Sequence, residues 1–121
     1  MKGAGVIDLN VESYARGTWT VIRATGEVDV YTAGRLREEI AGLVENGRHQ
    51  LAIDLEGVEF MDSTGLGVLI TGLKRIKERE GTLVLVAPGD QIRRLLTITG
   101  LEKVLEVHES VDKATERGVS H

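Results

Sequence analysis

The stretch from Val58 to Ile70 places the strongest constraint on the fold of this chain. It follows an apolar run, Leu51 to Leu55, that is typical of a buried strand, and it continues into apolar residues with the period of a helix. The chain is therefore predicted to leave a strand, cross briefly and start a helix within this stretch. Asp62 and Ser63 are predicted to stand at the helix start.

A helix start has a definite chemistry. It leaves backbone N–H groups without partners, and Asp, Ser or Thr side chains accept hydrogen bonds from them, so Asp62, Ser63 and Thr64 are candidate caps. Gly65 and Gly67 keep the first turn small, which allows another protein to approach the Ser63 hydroxyl. Tight packing of the helix is the alternative explanation for both glycines.

The strand pattern on either side predicts an α/β fold. Val6 to Val11 alternates apolar and polar residues and Thr18 to Thr25 is rich in β-branched residues, so the chain is predicted to open with a β-hairpin. Leu83 to Val86 is typical of a strand covered on both faces, and Lys103 to Val107 is predicted to be a short last strand. The result is a mixed sheet of four to five strands flanked by about four α-helices, with βα units after the hairpin.

The helices are predicted from apolar residues at helical spacing and from residues that favour helix ends. The positions expected to face inward are Leu36, Ile40, Leu43 and Val44 in the first helix, Leu66, Leu69, Ile70, Leu73 and Ile76 in the second, and Ile92, Leu95 and Leu96 in the third. The residues expected to cap or end helices are Thr32, Asp90 and Ser110 at the starts of the first, third and fourth helices, and Gly47, Gly81 and Gly100 at the ends of the first three.

Length and charge limit the possible functions. A chain of 121 residues fits one domain over 1–121, with a core from about 6 to 117 and a loose tail at 118–121. A net charge of -4 provides no basic face for nucleic acid or an anionic membrane. No stretch resembles a signal peptide or reaches the length of a membrane span, so a cytoplasmic location is expected.

The patterns that cofactor sites require are missing from the sequence. There is no cysteine for a disulfide or a thiolate metal site, and the three histidines lack ligand spacing. A phosphate-binding loop fails because Leu73 follows Gly72 where Lys is needed, and a dinucleotide fingerprint fails because Ile70 replaces its third glycine. No cofactor, no metal and no enzymatic activity are expected.

Four acidic residues near the end of the third strand need an explanation. They are Asp54, Glu56, Glu59 and Asp62. Solvated loop charges are the favoured interpretation, because carboxylates are rarely buried without a partner. The alternative is an enzyme or nucleotide-binding module in which these acids hold a metal.

Three segments carry a resemblance to a known family. They are Phe60 to Val68, with the sequence Phe-Met-Asp-Ser-Thr-Gly-Leu-Gly-Val; Gly26 to Asp29, with Gly-Glu-Val-Asp; and Thr99-Gly100-Leu101 followed by Val104. In matching order, from about Val6 to Ala114, the chain resembles the anti-sigma factor antagonists, which are single-domain members of the STAS family.

The resemblance implies a partner-switching role. The serine aligned with Ser63 would be phosphorylated by an anti-sigma factor that is itself an ATP-dependent serine kinase, and a PP2C-type phosphatase would remove the phosphate. The unphosphorylated protein would bind the anti-sigma factor, which then releases its sigma factor. The residues implied at the partner surface are Asp29, Asp62, Ser63, Thr64, Gly65 and Gly67.

Each of these roles has an alternative. Ser63 and Asp62 are also explained as helix caps, and Asp29 as an acid that favours the start of the next helix. Thr64 is the competing hydroxyl for phosphorylation. For the whole protein, the alternative is a STAS scaffold that does not switch, such as a subunit of a stress-sensing assembly or a lipid-transport accessory protein. The oligomeric state is left open.

Overall fold

The computed structural model describes residues 8–116 as a five-stranded sheet with α-helices on both faces. The strands lie side by side in chain order, and the first pair is antiparallel while the three later pairs are parallel. The predicted mixed sheet with an N-terminal hairpin followed by βα units is therefore confirmed.

The bounds of the elements are as follows. The strands are β1 (Leu9–Arg16), β2 (Trp19–Val28), β3 (Gln50–Met61), β4 (Thr82–Val86) and β5 (Glu106–His108). The α-helices are α1 (Ala33–Glu45), α2 (Ser63–Lys77), α3 (Asp90–Thr99) and α4 (Val111–Glu116), and a 3₁₀ turn spans Leu101–Lys103.

The sheet separates two apolar clusters of different size. Helices α1, α2 and α3 cover one face and form the larger, aliphatic cluster. Helix α4 covers part of the other face, where Trp19 and Ala114 belong to the smaller cluster. Leu83 and Leu85 face the larger cluster and Val84 faces the smaller one, so β4 is covered on both faces as predicted.

Both hairpin strands are longer than predicted. The predicted first strand began at Val6, which lies outside the described residues, and β1 continues beyond Val11 to Arg16. The two strands are joined through Gly17, whose φ of 62° lies in the left-handed region that glycine adopts readily. The second strand continues beyond Thr25 to Val28.

The third strand corrects the predicted short crossing after Leu55. It extends to Met61 and stays paired with β2, so that Met61 lies opposite Val28. The pairing is irregular, with register shifts between Arg23 and Thr25 and after Gly26. A period-2 pattern does not survive such shifts, which explains why the sequence did not reveal this half of the strand.

Two predicted N-terminal caps are wrong. Thr32 stands at the N-cap position of α1, but its hydroxyl donates to the Glu27 carbonyl at 2.8 Å and accepts from the Asp29 N–H at 3.0 Å. Asp90 is the first residue of α3 and makes no capping bond; Gly89 is the N-cap. Ser110 does cap α4, accepting from the Lys113 N–H at 3.1 Å.

The predicted helix ends are confirmed for α1 and α3 and need a correction for α2. Gly47 and Gly100 follow these two helices with positive φ. After α2 the residue with positive φ is Glu80, not Gly81. Gly81 is required for another reason, because a Cβ there would lie 2.3 Å from the His49 carbonyl oxygen.

The apolar face of α2 differs in detail from the predicted one. Ile70 is only half-buried, whereas Val68 is buried. The helix packs against α1 as well as the sheet, with Gly72 close to Ile40, and two neighbours require a wider buried stripe. The other inward positions predicted for α2 are buried.

The last strand also begins later than predicted. Residues 101–103 form the 3₁₀ turn, and β5 starts only at Glu106. The predicted loose tail at 118–121 lies outside the described residues.

Gly26 lies so close to the backbone of Asp8 that a side chain at this position is expected to destabilise the fold. Gly26 has a φ of 120°, and a Cβ on it would lie 2.0 Å from the Asp8 carbonyl oxygen. Gly26→Ala is expected to lower the free energy of unfolding by about 3 kcal/mol or more, since it adds a clash to backbone strain. Gly17→Ala is the control, with positive φ but open space around its Cβ, and is expected to cost about 1 kcal/mol. Equal losses in urea unfolding would contradict the prediction.

Candidate functional site

The starts of α1 and α2 meet at one edge of the sheet. Strands β2 and β3 are parallel and end side by side, and the Asp62 N–H donates to the Val28 carbonyl at 3.1 Å. Helix α2 begins directly after Asp62, and α1 begins after the turn that contains Asp29. The structure therefore brings together the two acidic motifs that are separated in the sequence.

Asp62 is the N-cap of α2. Its Oδ1 accepts hydrogen bonds from the Thr64 N–H at 2.9 Å and the Gly65 N–H at 3.2 Å, while its carbonyl accepts from the Leu66 N–H at 3.2 Å. The cap function considered for Ser63 is therefore performed by Asp62, and Ser63 is the first helical residue. Within the described chain Oδ2 of Asp62 accepts no hydrogen bond.

Ser63 presents an accessible hydroxyl. The residue is exposed, and its hydroxyl has no hydrogen-bond partner among residues 8–116. Thr64, the competing hydroxyl, is half-buried. The backbone on which Ser63 stands is fixed by the Asp62 cap, so the hydroxyl is held at a defined place without being used in the fold.

The helix start beside Ser63 offers an added anion fewer free N–H groups than a helix start without a carboxylate cap. Two of the N–H groups that would otherwise be free are already bonded to the Asp62 carboxylate. An added anion on Ser63 would meet that carboxylate and would have to compete with it for the N–H groups. The helix start is therefore less favourable to a phosphate than the sequence pattern alone indicates.

Asp29 organises the turn before α1. Its Oδ1 accepts from the Tyr31 N–H at 2.9 Å and the Thr32 N–H at 3.2 Å, and its carbonyl accepts from the Ala33 N–H at 2.8 Å. The alternative role, an acid that favours the helix start, matches this geometry. Asp29 and Asp62 thus hold the two turns in the same way, each through one carboxylate oxygen.

The two glycines of the motif occupy opposite environments. Gly65 is buried, and a Cβ there would lie 2.6 Å from Met61 Cγ and 2.8 Å from Val28 Cγ1. Gly67 is exposed, and a Cβ there would meet nothing within 4 Å. Tight packing accounts for Gly65, whereas only Gly67 leaves open space for an approaching protein.

The four acids at the end of the third strand do not form one site. Asp54, Glu56 and Glu59 lie within β3 and not in a loop. Asp54 is only 6% exposed, which corrects the expectation that all four are solvated, and its Oδ2 lies 3.8 Å from Arg23 Nε. The Asp62 carboxylate caps α2. The four acids therefore do not form a common metal site. Among residues 8–116 no three His, Asp or Glu side chains are placed to hold a metal ion.

Sequence reasoning missed two contributors to this edge. The Gln91 side chain in α3 accepts from the Met61 N–H at 3.0 Å and donates to the Met61 carbonyl at 2.8 Å, which fixes the end of β3. Val30 and Tyr31 follow Asp29 and are largely exposed. The sequence holds no signal for the hydrogen bonds of Gln91. The exposed pair could have been found, because Val30 and Tyr31 are apolar residues that fit no buried pattern.

Within residues 8–116, the helices are too short or too polar to cross a membrane.

The two glycines allow opposite effects to be tested. Gly65→Ala is expected to lower the free energy of unfolding by about 1–2 kcal/mol, because overpacking outweighs the gain in helix propensity. Gly67→Ala is expected to raise it by about 0.5–1 kcal/mol, because only propensity changes. Chemical denaturation of both variants provides the measurement, and a stabilising Gly65→Ala would contradict the assignment.

The cap at Asp62 gives a second comparison. Asp62→Ala is expected to cost about 1 kcal/mol, since two N–H groups lose their acceptor. Asp62→Asn keeps a side-chain oxygen and is expected to lose only a few tenths of a kcal/mol from the weaker interaction with the helix dipole. If both variants melt alike, the carboxylate oxygen is not acting as a cap.

Comparison with known proteins identifies the family. The STAS domain family matches residues 10–114. An anti-sigma-B factor antagonist of Staphylococcus aureus (strain NCTC 8325 / PS 47) is 33% identical over 106 residues, covering 88% of this chain and 98% of that protein. The crystal structure of an anti-sigma factor antagonist from Mycobacterium paratuberculosis matches with a TM-score of 0.84 and 29% identity over 91% of this chain and 93% of the other.

The same fold is found in SpoIIAA, a Bacillus cell fate determinant and anti-sigma factor antagonist. Its unphosphorylated form matches with a TM-score of 0.81 at 20% identity, covering 93% of this chain and 98% of SpoIIAA. Its phosphorylated form matches with a TM-score of 0.71 at 23% identity, covering 90% and 97%. Together with the match over residues 10–114 and the S. aureus relative, these similarities establish that the chain belongs to the STAS domain family, among its anti-sigma factor antagonists.

Proposed function

We propose that this protein is an anti-sigma factor antagonist that switches partners through phosphorylation of Ser63. The unphosphorylated protein binds an anti-sigma factor that is a serine kinase, and the sigma factor is released. Phosphorylation of Ser63 by that kinase ends the interaction, and a PP2C-type phosphatase restores it. These events belong in the cytoplasm, where sigma factors act on RNA polymerase.

The observation that carries the proposal is the state of the Ser63 hydroxyl. It is exposed, it has no hydrogen-bond partner within residues 8–116, and it stands on a helix start fixed by Asp62. A residue used only for the fold would be expected to bond its own backbone, as Asp62 does. Relatives named anti-sigma-B factor antagonist and a neighbour solved in phosphorylated and unphosphorylated forms support the same conclusion.

The electrostatics at this edge explain how a phosphate would act. A phosphoserine carries a charge of about -1.5 to -2 and three acceptor oxygens. It would stand beside the Asp62 carboxylate, whose cap already uses two of the nearby N–H groups. The added charge and volume therefore fall on the surface that a partner must approach, while the buried side of α2 is untouched. The fold persists and the interface is blocked.

The predicted partner-surface residues divide into two groups under this proposal. Ser63, Thr64 and Gly67 contact the partner directly, with Gly67 providing the close approach. Asp29 and Asp62 hold the two turns and keep a second carboxylate oxygen for contacts with the partner. Gly65 acts indirectly by packing α2 on the sheet.

The proposal is tested by intact-mass measurement after incubation with ATP and each candidate anti-sigma kinase of the same genome. We expect one kinase to add a single phosphate to the wild-type chain and to Thr64→Ala, and none to Ser63→Ala, because Ser63 carries the accessible hydroxyl. The kinase is expected to bind the unphosphorylated chain and to lose affinity at least about tenfold for the phosphorylated one. Like charges brought together at an interface cost several kcal/mol, and about 1.4 kcal/mol is enough for a tenfold change.

The phosphorylated sample provides its own control for the fold. Its circular dichroism and thermal unfolding are expected to remain close to those of the unmodified chain. Phosphate on Thr64→Ala but also on Ser63→Ala would contradict the choice of residue. If a kinase binds the chain without modifying it, the alternative STAS scaffold that does not switch is the better description.

A further inference from the structure

At the sheet edge that carries Ser63 the chain presents an apolar pair that is largely exposed. Val30 is 65% exposed and Tyr31 is 91% exposed, in a chain that contains only four Phe, Trp and Tyr residues. A tyrosine displayed almost completely to solvent contributes little to folding. Aromatic residues in such positions are enriched among the few side chains that supply most of the energy of an interface.

The pair lies at the same edge as Ser63. Val28 accepts a hydrogen bond from the Asp62 N–H, and Tyr31 is three residues beyond Val28, a span of at most about 11 Å even if extended. Ser63 follows Asp62 directly. Tyr31 is therefore within reach of a protein that covers Ser63 through an interface of ordinary size, about 800 Å² on each side.

The backbone below Tyr31 is already ordered. Its N–H donates to Asp29 Oδ1, and the next turn is closed by the Thr32 N–H to the Asp29 carbonyl at 3.2 Å. The Thr32 hydroxyl ties the same turn to the Glu27 carbonyl. A rigid presentation lowers the entropy that is lost on binding, because only the side chain remains to be fixed.

Acidic residues are frequent in the two segments that meet at this edge. The segments 26–31 and 59–66 contain four acids, Glu27, Asp29, Glu59 and Asp62, and no Lys or Arg. A complementary partner surface would have an apolar pocket with Lys and Arg residues around it. A phosphate on Ser63 would add to the negative charge of these segments.

We propose that Tyr31, with Val30, is the apolar anchor by which this protein docks an apolar pocket rimmed by basic residues on its anti-sigma factor. This inference rests on the proposed function and names a residue that the phosphorylation switch does not require. Tyr31 provides binding energy, and phosphorylation of Ser63 prevents binding.

The test measures binding of unphosphorylated variants to the anti-sigma kinase that responds to the wild-type chain. Tyr31→Ala is expected to raise Kd at least tenfold, and Tyr31→Phe to keep it within about threefold, because the ring and not the hydroxyl is the anchor. In the phosphorylation reaction Tyr31→Ala is expected to raise KM for the antagonist while kcat is unchanged. The thermal unfolding of both variants should equal that of the wild-type chain.

Tyr14 offers a matched aromatic control on the same molecule. It is 37% exposed, and it pairs with Val21, which lies seven residues along β2 from Val28, about 23 Å from the edge that carries Ser63. Tyr14→Ala is expected to leave Kd within twofold. An equal loss of affinity in Tyr14→Ala and Tyr31→Ala would overturn the anchor, since the loss of any exposed aromatic ring would then account for the effect.

The two proposals fail in different ways. If the wild-type chain binds and is phosphorylated but Tyr31→Ala does so with unchanged Kd and KM, the anchor is wrong and the switch stands. If no anti-sigma factor binds the wild-type chain, the proposed function and the anchor are both wrong.

Discussion

The hydrogen bond from the Asp62 N–H to the Val28 carbonyl is the contact on which the geometry of this protein depends. It is the last link between β2 and β3, and it brings the turn that leads into α1 beside the turn that leads into α2. Gly65 packs directly onto Val28 and Met61, so the start of α2 has little freedom relative to the strands. A side chain carried by either turn therefore has a nearly fixed position relative to the other.

This rigidity suits a regulatory surface more than a catalytic one. The carboxylates of Asp29 and Asp62 are used to hold backbone N–H groups, and each leaves one oxygen without a partner among the described residues. Ser63 follows Asp62 directly, and within residues 8–116 its hydroxyl has no hydrogen-bond partner. Modification of such a surface changes its charge and shape without requiring the strands and helices below it to move. The effect of a charge added at Ser63 is therefore confined to this surface.

The fold was largely predictable, whereas several boundaries were not. Alternation, apolar runs and glycines at helix ends predicted the hairpin, the βα order and the four helices, because these signals are local. The second half of β3 was missed, since Glu56, Gly57 and Glu59 break the alternation at irregular pairings with β2. The roles of Thr32 and Asp90 as caps were wrong, because any side chain of that type fits the pattern and only neighbouring groups decide which bond it makes.

The sequence by itself determined that a helix starts at Asp62 and Ser63 after a strand, and the motif around Ser63 determined the family. Tertiary structure decided which glycine packs and which is open: Gly65 and Gly67 are equivalent in the pattern, but one faces Val28 and Met61 and the other faces solvent. It also decided that Tyr31 and Ser63 lie at the same edge of the sheet. Local signals extend over a few residues, and the proximity of these two sites arises from the pairing of strands that are distant in the chain.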